Sequence, residues 1–482
     1  MLKNSLFCLN SPTQAEGRFS CLRGWGQITL LLMPVALALA SLLPYPAGRS
    51  LFVLPAAAFA LLGTIITISA LGLHNCRTMI RPALGFTIYS LAMMALIALN
   101  ITLLHPSLST IGNLKSLAAL VLGLNLFVLT VMVVGQKDQQ ALRNMTLAIH
   151  LLLIVLGGQI IFSYLTGWGE IYDQNDGSRR AYGMAGDGFT MLLVFGCLWT
   201  ILGKRWALGL IMGTALFMTG GRMGLLTAIL CLLLCVPLML GNSKKHLAKN
   251  AMLLMLAIAS CIGILHTANH LRQNIAIAEI QPAKPSNTAT APNNASFAAL
   301  RAYNAELPTH LRFINHYYYS ALSTGAGRLI GLGAGLQMLE DNPLSGVGYG
   351  NSTAAISSYA ALDYFGLQDK IHITPDRLAL ERLIANQTAT IAAETGLPGL
   401  VLFIGMCATA LWLAGRSYLA ILRQPQPLSA QDKLVLACSI WSIVLIIGNQ
   451  TATWFLPASP NLLWLYICLG SCAAHLANKA RA

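Results

Sequence analysis

Charge is what this sequence has least of. Only 10% of its 482 residues are Asp, Glu, Lys or Arg, whereas 56% are hydrophobic. A soluble domain carries about 25% charged residues, so this composition excludes a globule surrounded by water and asks for hydrocarbon instead. The apolar runs are almost free of ionisable side chains, which a transporter would place near the bilayer midplane. No internal repeat supports an inverted-repeat transporter either. No Asp-x-Asp pair or His/Asp cluster suggests a metal site, and no cofactor is expected. The 11 cysteines lie in the leader, in apolar runs or at their edges. None falls in the long polar stretch, so no disulfide framework is expected there. Cys231 and Cys235 have helical spacing inside an apolar run and read as small buried hydrophobes, not a metal pair.

What is present is a series of apolar runs, several long enough for the roughly 20 helical residues that cross a bilayer. They cover residues 28–43, 51–73, 83–104, 117–134, 145–165, 189–202, 206–218, 223–240, 251–264, 397–414, 434–447 and 462–476. The fold class is therefore an all-α polytopic membrane protein of about 12 helices. The shorter runs would be tilted or re-entrant. The first run follows a polar leader and lacks a small-x-small cleavage site, so it reads as a retained span.

Charge then orients the chain. With the N-terminus inside, the inner segments hold 17 basic and three acidic residues, the whole formal excess of +14. The outer segments hold 13 of each, as the positive-inside rule expects. A pI of 9.4 is thereby explained by the membrane, and no nucleic-acid partner is expected.

Three regions follow. Residues 1–266 are a cytoplasmic leader and nine spans, 267–395 one large outer loop, and 396–482 three further spans. The low-complexity stretch near 281–297 reads as a flexible insert. Leu329, Leu332, Leu336 and Leu339 recur at helical spacing, which predicts an apolar stripe on a surface helix or one packed over the spans. Asp341-Asn342-Pro343 should end that helix. A second amphipathic helix is expected over 375–394, with Pro375 in its first turn. Thr166 to Asp187 reads as a smaller outer loop.

Two stretches carry a more specific signal. One runs from Gly327-Arg328 through Glu340-Asp341-Asn342-Pro343-Leu344-Ser345-Gly346-Val347-Gly348-Tyr349-Gly350 to Asn351. The other is Asn386 to Gly399, containing Glu394-Thr395-Gly396-Leu397-Pro398-Gly399. Together they resemble the signature region of the bacterial O-antigen ligase and O-antigen polymerase family. There an Arg-initiated helix leads to an Asn-Pro-hydrophobic-x-Gly-x-Gly turn, and a later helix ends in Glu-Thr-Gly-hydrophobic-x-Gly. The resemblance is specific from Arg328 to Gly399 and elsewhere is one of topology. Gly221-Arg222-Met223-Gly224 also looks like the family's arginine at a span mouth, and Arg179 or Arg180, with Gly183, like its earlier loop arginine.

The resemblance implies inverting, metal-independent transfer of a glycan from undecaprenyl diphosphate at the periplasmic face of the inner membrane, with both termini cytoplasmic. The implied acceptor is lipid A–core in a ligase, the preferred reading, or a lipid-linked repeat in a polymerase. Protein glycosylation by the same chemistry is a variant, and a lipid-linked glycan transporter is the rival of another class. A diphosphate leaving group needs charge stabilisation more than protonation. Arginine, always ionised and bidentate, suits it. The candidate diphosphate ligands are Arg179, Arg180, Arg222 and Arg328, with Arg222 and Arg328 also catalytic. An arginine at a span end also snorkels without any catalytic purpose.

The Gly346-x-Gly348-x-Gly350 turn makes either an anion nest or merely a tight turn, and the latter is favoured. Glu394 is a candidate catalytic group, more readily one that fixes the loop. His310 and His316 read as loop residues, although Tyr317-Tyr318-Tyr319 could line a sugar site. One departure stands out. Family ligases place a histidine immediately before the asparagine matched by Asn386, as the group that activates the acceptor hydroxyl. Here Ala385 stands in that position and takes no proton. Either the histidine has been replaced by engineering, or Glu394, His372 or His316 serves, or the acceptor differs.

Overall fold

The structure is a computed structural model. It describes residues 61–62, 64–65, 73–105, 111–135, 139–168, 170–173, 179–183, 190–219, 222–240, 263, 328–366, 384, 386–424, 428–448 and 460–481. The expected span 28–43, most of 51–73, all of 251–264 except residue 263, and the stretch 281–297 lie outside them. Two compact units divide the chain: Met1–Ala268 with Pro398–Ala482, and Asn269–Leu397.

The first unit is helical: α1 (Leu73–Ile80), α2 (Leu84–Leu99), α3 (Ile111–Gly135), α4 (Gln139–Thr166), α5 (Thr190–Leu202), α6 (Trp206–Met218) and α7 (Arg222–Leu240). Among the described residues, five stretches are long and apolar enough to cross a membrane: Arg77–Leu104, Leu117–Gly135, Leu142–Thr166, Gln387–Leu422 and Ala430–Gly448. α5 and α6 are shorter apolar helices of 13 residues each, about 20 Å at 1.5 Å per residue. This is a helical membrane protein.

Inside that unit, aromatic side chains set the helix spacing. α3 packs most extensively on the last helix, Pro460–Arg481. Gly123 makes this possible, because a Cβ there would lie 2.5 Å from Cδ2 of Tyr466. The Phe86 ring meets Phe127 at 5.3 Å and Tyr466 at 5.5 Å, tilted to both. Phe195 meets Trp464 and Trp441 edge-on, and the Trp441 indole N–H donates to the Met191 carbonyl over 2.7 Å. Each buried indole thus brings apolar area and, for Trp441, a satisfied donor. Cys231 and Cys235 are both buried. On the other side Val401, Ile404, Trp412 and Leu419 are exposed at helical spacing, the face that hydrocarbon would cover.

One element departs from the all-helical expectation. Within the loop Thr166 to Asp187, β1 (Glu170–Asp173) and β2 (Arg179–Gly183) pair antiparallel, with Asp173 opposite Arg179 and Tyr172 opposite Arg180. Ile171, Tyr172 and Tyr182 favour strands, and the intervening Asp176-Gly177 is a hairpin-turn signal. β2 packs on α4 and α6.

The second unit holds α8 (residues 328–341), α9 (Ser352–Ala360) and the first turns of α10 (Gln387–Leu422). Its core is Ile330, Ala334 and Met338 from α8, Ile356 and Ala360 from α9, and Ile384, Ala389 and Ala393. α8 ends at Asp341, as the following Asn342-Pro343 requires. The leucine stripe, however, is not the buried face. Ile330, Ala334 and Met338 lie on the opposite side and pack inward, while Leu329 is 44% exposed and Leu332, Leu336 and Leu339 are only half-buried. Spacing alone identifies a stripe but not which stripe meets the core, and small residues at 331, 333 and 335 let the other face approach closely.

The helix expected over 375–394 is also corrected. Residues 367–383 lie outside those described, but Ile384 and Asn386 are not helical. α10 begins at Gln387 because Asn386 caps it, its Oδ1 accepting the Ala389 N–H at 3.0 Å. The helix then runs on past Glu394 to Leu422, broken only at Gly396 (φ 71°, ψ −167°). The chain closes with α11 (Ala430–Gly448) and α12 (Pro460–Arg481).

Candidate active site

The two signature stretches, far apart in sequence, lock together through their backbones. The Val347 N–H donates to the Ala393 carbonyl at 2.8 Å, and the Leu397 N–H to the Pro343 carbonyl at 2.7 Å. Between these bonds two glycines face each other's chain. Gly346 has φ +66°, and a Cβ on it would fall 2.3 Å from the Glu394 carbonyl carbon. Gly396 has φ +71°, and a Cβ there would fall 2.6 Å from the Pro343 carbonyl oxygen. Both positions need a left-handed backbone and bare approach, which only glycine supplies without strain.

Glu394 sits at the centre of this junction, 6% exposed. The Ser352 hydroxyl donates to its Oε1 at 2.6 Å, and the backbone N–H groups of Gly350 and Ser352 also bond the carboxylate. The glycine-rich turn is therefore both of the alternatives at once. It is a tight turn whose end forms a small nest of donors, and the anion in that nest is the chain's own Glu394. Such bonding is what a buried carboxylate requires. Ser352 is the residue that sequence reasoning overlooked. A serine following the Gly-x-Gly-x-Gly-Asn run, at the first position of a helix, was the available signal.

Arg328 is the first described residue of α8. It is half-buried and makes no hydrogen bond or ion pair with another described residue. At the other end of α8 the Tyr364 hydroxyl donates to Glu340 Oε1 at 2.6 Å, and the Tyr359 hydroxyl bonds Asp341. The Glu340 carboxylate holds the Tyr364 phenol above its ordinary range. Burial first, and then Asp341, do the same for Tyr359. Arg222 is the first residue of α7, and Arg179 and Arg180 lie in β2, so all three belong to the first unit. Ala385, His310, His316 and His372 lie outside the described residues.

Residues 207–404 match the family model of the O-antigen ligase. The chain carries an O-antigen ligase family domain. No curated protein matches it. The O-antigen ligase domain begins in α6 and ends in α10. It contains Arg222, Arg328, Ala385 and Glu394, whereas Arg179 and Arg180 precede it. The match supports, in general terms, a function of the O-antigen ligase or polymerase type.

Proposed function

We propose that the protein is a membrane glycosyltransferase that moves an O-antigen glycan from undecaprenyl diphosphate to lipid A–core at the periplasmic face of the bacterial inner membrane. In this reading the acceptor oxygen attacks the anomeric carbon from the side opposite the diphosphate. The bond between the anomeric carbon and the diphosphate oxygen breaks, the configuration inverts, the diphosphate departs as an anion, and the acceptor hydroxyl gives up its proton to a base. Arg328 is cast as the residue that takes up the charge developing on the leaving oxygen. About twelve spans, cytoplasmic termini and one large periplasmic loop complete the topology.

One observation supports the reading above the rest. Within the O-antigen ligase domain the structure joins the signature turn and the Glu-Thr-Gly segment in one backbone-bonded junction, and Arg328, in the same unit, has no partner among the described residues. A structural arginine in a half-buried position finds a carboxylate or carbonyl, whereas one kept for a ligand stays unpaired until the ligand arrives. Glu394 is cast as the residue that holds the turn, since its carboxylate already has three donors. Ala385, where family ligases place a histidine, takes no proton, so the acceptor's proton passes to His372 or His316 in this reading.

The test mixes purified protein with undecaprenyl diphosphate-linked glycan and lipid A–core, without added metal, and follows the product by its shift on a gel. Transfer that Arg328→Ala abolishes is the expected result. Glycan joined to a second lipid-linked glycan would make the protein a polymerase. Carrier movement across vesicles with no new glycosidic bond would make it a transporter and overturn the proposal.

A further inference from the structure

α8 presents an aromatic crevice along the flank that leads away from Arg328. Its floor is Gly333 and Ala334, and its walls are Leu329 on one side and Tyr359, Tyr364 and Phe365 on the other. Gly333 lets the wall come close, since a Cβ there would stand 3.0 Å from Cβ of Tyr364 and 3.2 Å from Phe365. The wall is itself fixed. Phe365 meets Tyr364 edge-on at 5.1 Å, and Asp363 at the start of the turn has φ +49°, unusual for a residue with a side chain. Tyr364 nonetheless remains 38% exposed, its hydroxyl clamped to Glu340. The crevice is shallow, so a ligand would lie across its mouth against the Tyr364 ring.

The charges beside it say what that ligand can be. Glu340 and Asp341 occupy the last turn of α8 and are both exposed. Carboxylates at a helix C-terminus oppose the macrodipole, so they do not sit there for the helix's own benefit. They would repel a diphosphate, and beside lipid tails they would be costly. A sugar ring satisfies every constraint. Its C–H face is apolar and lies on an aromatic ring, and its hydroxyls donate to carboxylates in charge-assisted bonds.

We propose that this crevice is a glycan subsite, which holds a pyranose of the donor by stacking on Tyr364 while Glu340 and Asp341 accept hydrogen bonds from its hydroxyls. The inference rests on the reading of Arg328 as a diphosphate ligand. From residue 328 to residue 341 the helix rises about 20 Å, so the donor would lie with its diphosphate at the arginine and its saccharide chain running toward the acidic end. The subsite would thereby set which sugar is accepted and the direction in which the glycan leaves.

Binding of two probes to the full-length protein in detergent tests it: bare undecaprenyl diphosphate, and the same carrier bearing its glycan. The wild type is expected to bind the loaded carrier more tightly. Tyr364→Ala should weaken the loaded carrier about tenfold and leave the bare carrier unchanged. Tyr364→Phe keeps the ring and should retain most of the preference. If Tyr364→Ala binds both probes as the wild type does, or weakens both equally, there is no glycan subsite here. Failure of Arg328→Ala to weaken the bare carrier would instead strike the diphosphate reading, a separate result.

Discussion

The Ser352 hydroxyl reaches Glu394 Oε1 over 2.6 Å across 42 residues of sequence. It brings the start of α9 to the start of the Glu-Thr-Gly segment and marks where the two family signatures meet. Removing the hydroxyl deletes one of three donors to a buried carboxylate. Ser352→Ala should therefore cost roughly 1.5–3 kcal/mol, the range for a hydrogen bond to a charged group. Thermal melting in detergent measures it. Glu394→Gln in the Ser352→Ala background should cost less than the two changes separately, because they share one contact.

Gly346→Ala and Gly396→Ala are each expected to prevent accumulation of folded protein. A methyl group at either position would sit less than 3 Å from a backbone atom that has nowhere to retreat. Fluorescence-detected size exclusion would show aggregate in place of a monodisperse peak. Gly415→Ala is the control, since a Cβ there meets nothing within 4 Å.

Arg328→Ala should behave in the opposite way. With no described partner to lose, it should leave the melting temperature within about 1 °C of the parent, since surface changes away from packed or bonded features stay within about 0.5 kcal/mol. Transfer should fall by about 10²–10³, the usual loss when a preorganised donor to developing charge is removed. Arg328→Lys should recover little, because one ammonium does not reproduce a bidentate fork.

Ala385→His restores the family's base beside the Asn386 cap. If the proton acceptor is all that is missing, transfer should rise by about 10²–10⁴ and acquire a dependence on a group titrating near pH 6.5. A rate that is already high and does not change would assign the base elsewhere and remove Ala385 from the site.

The helical membrane architecture was legible because hydrocarbon imposes it residue by residue: a run such as Leu117–Gly135 has little choice. The end of α8 was legible for a similarly local reason, the proline at 343. What escaped was everything decided by a distant partner. The leucines of α8 advertise an apolar face, yet Ile330, Ala334 and Met338 are buried because α9 and α10 lie against that side. Asn386 was visible as half of a family motif but not as a helix cap, which moved the start of α10 to Gln387. The hairpin at Arg179 was hidden by its shortness, four residues against five. In the site, Gly346 and Gly396 looked like ordinary turn residues. That each exists to admit the other's chain follows only from the fold.

The junction of the two signatures is made chiefly of main-chain atoms and absent side chains, which frees the sequence between them. Lengthening a closed loop is inexpensive, about 0.6 kcal/mol for each doubling. The junction at Gly346, Gly396 and Glu394 therefore depends little on how many residues separate the two signatures. A fastening of that kind keeps the two signatures joined whatever length of chain separates them.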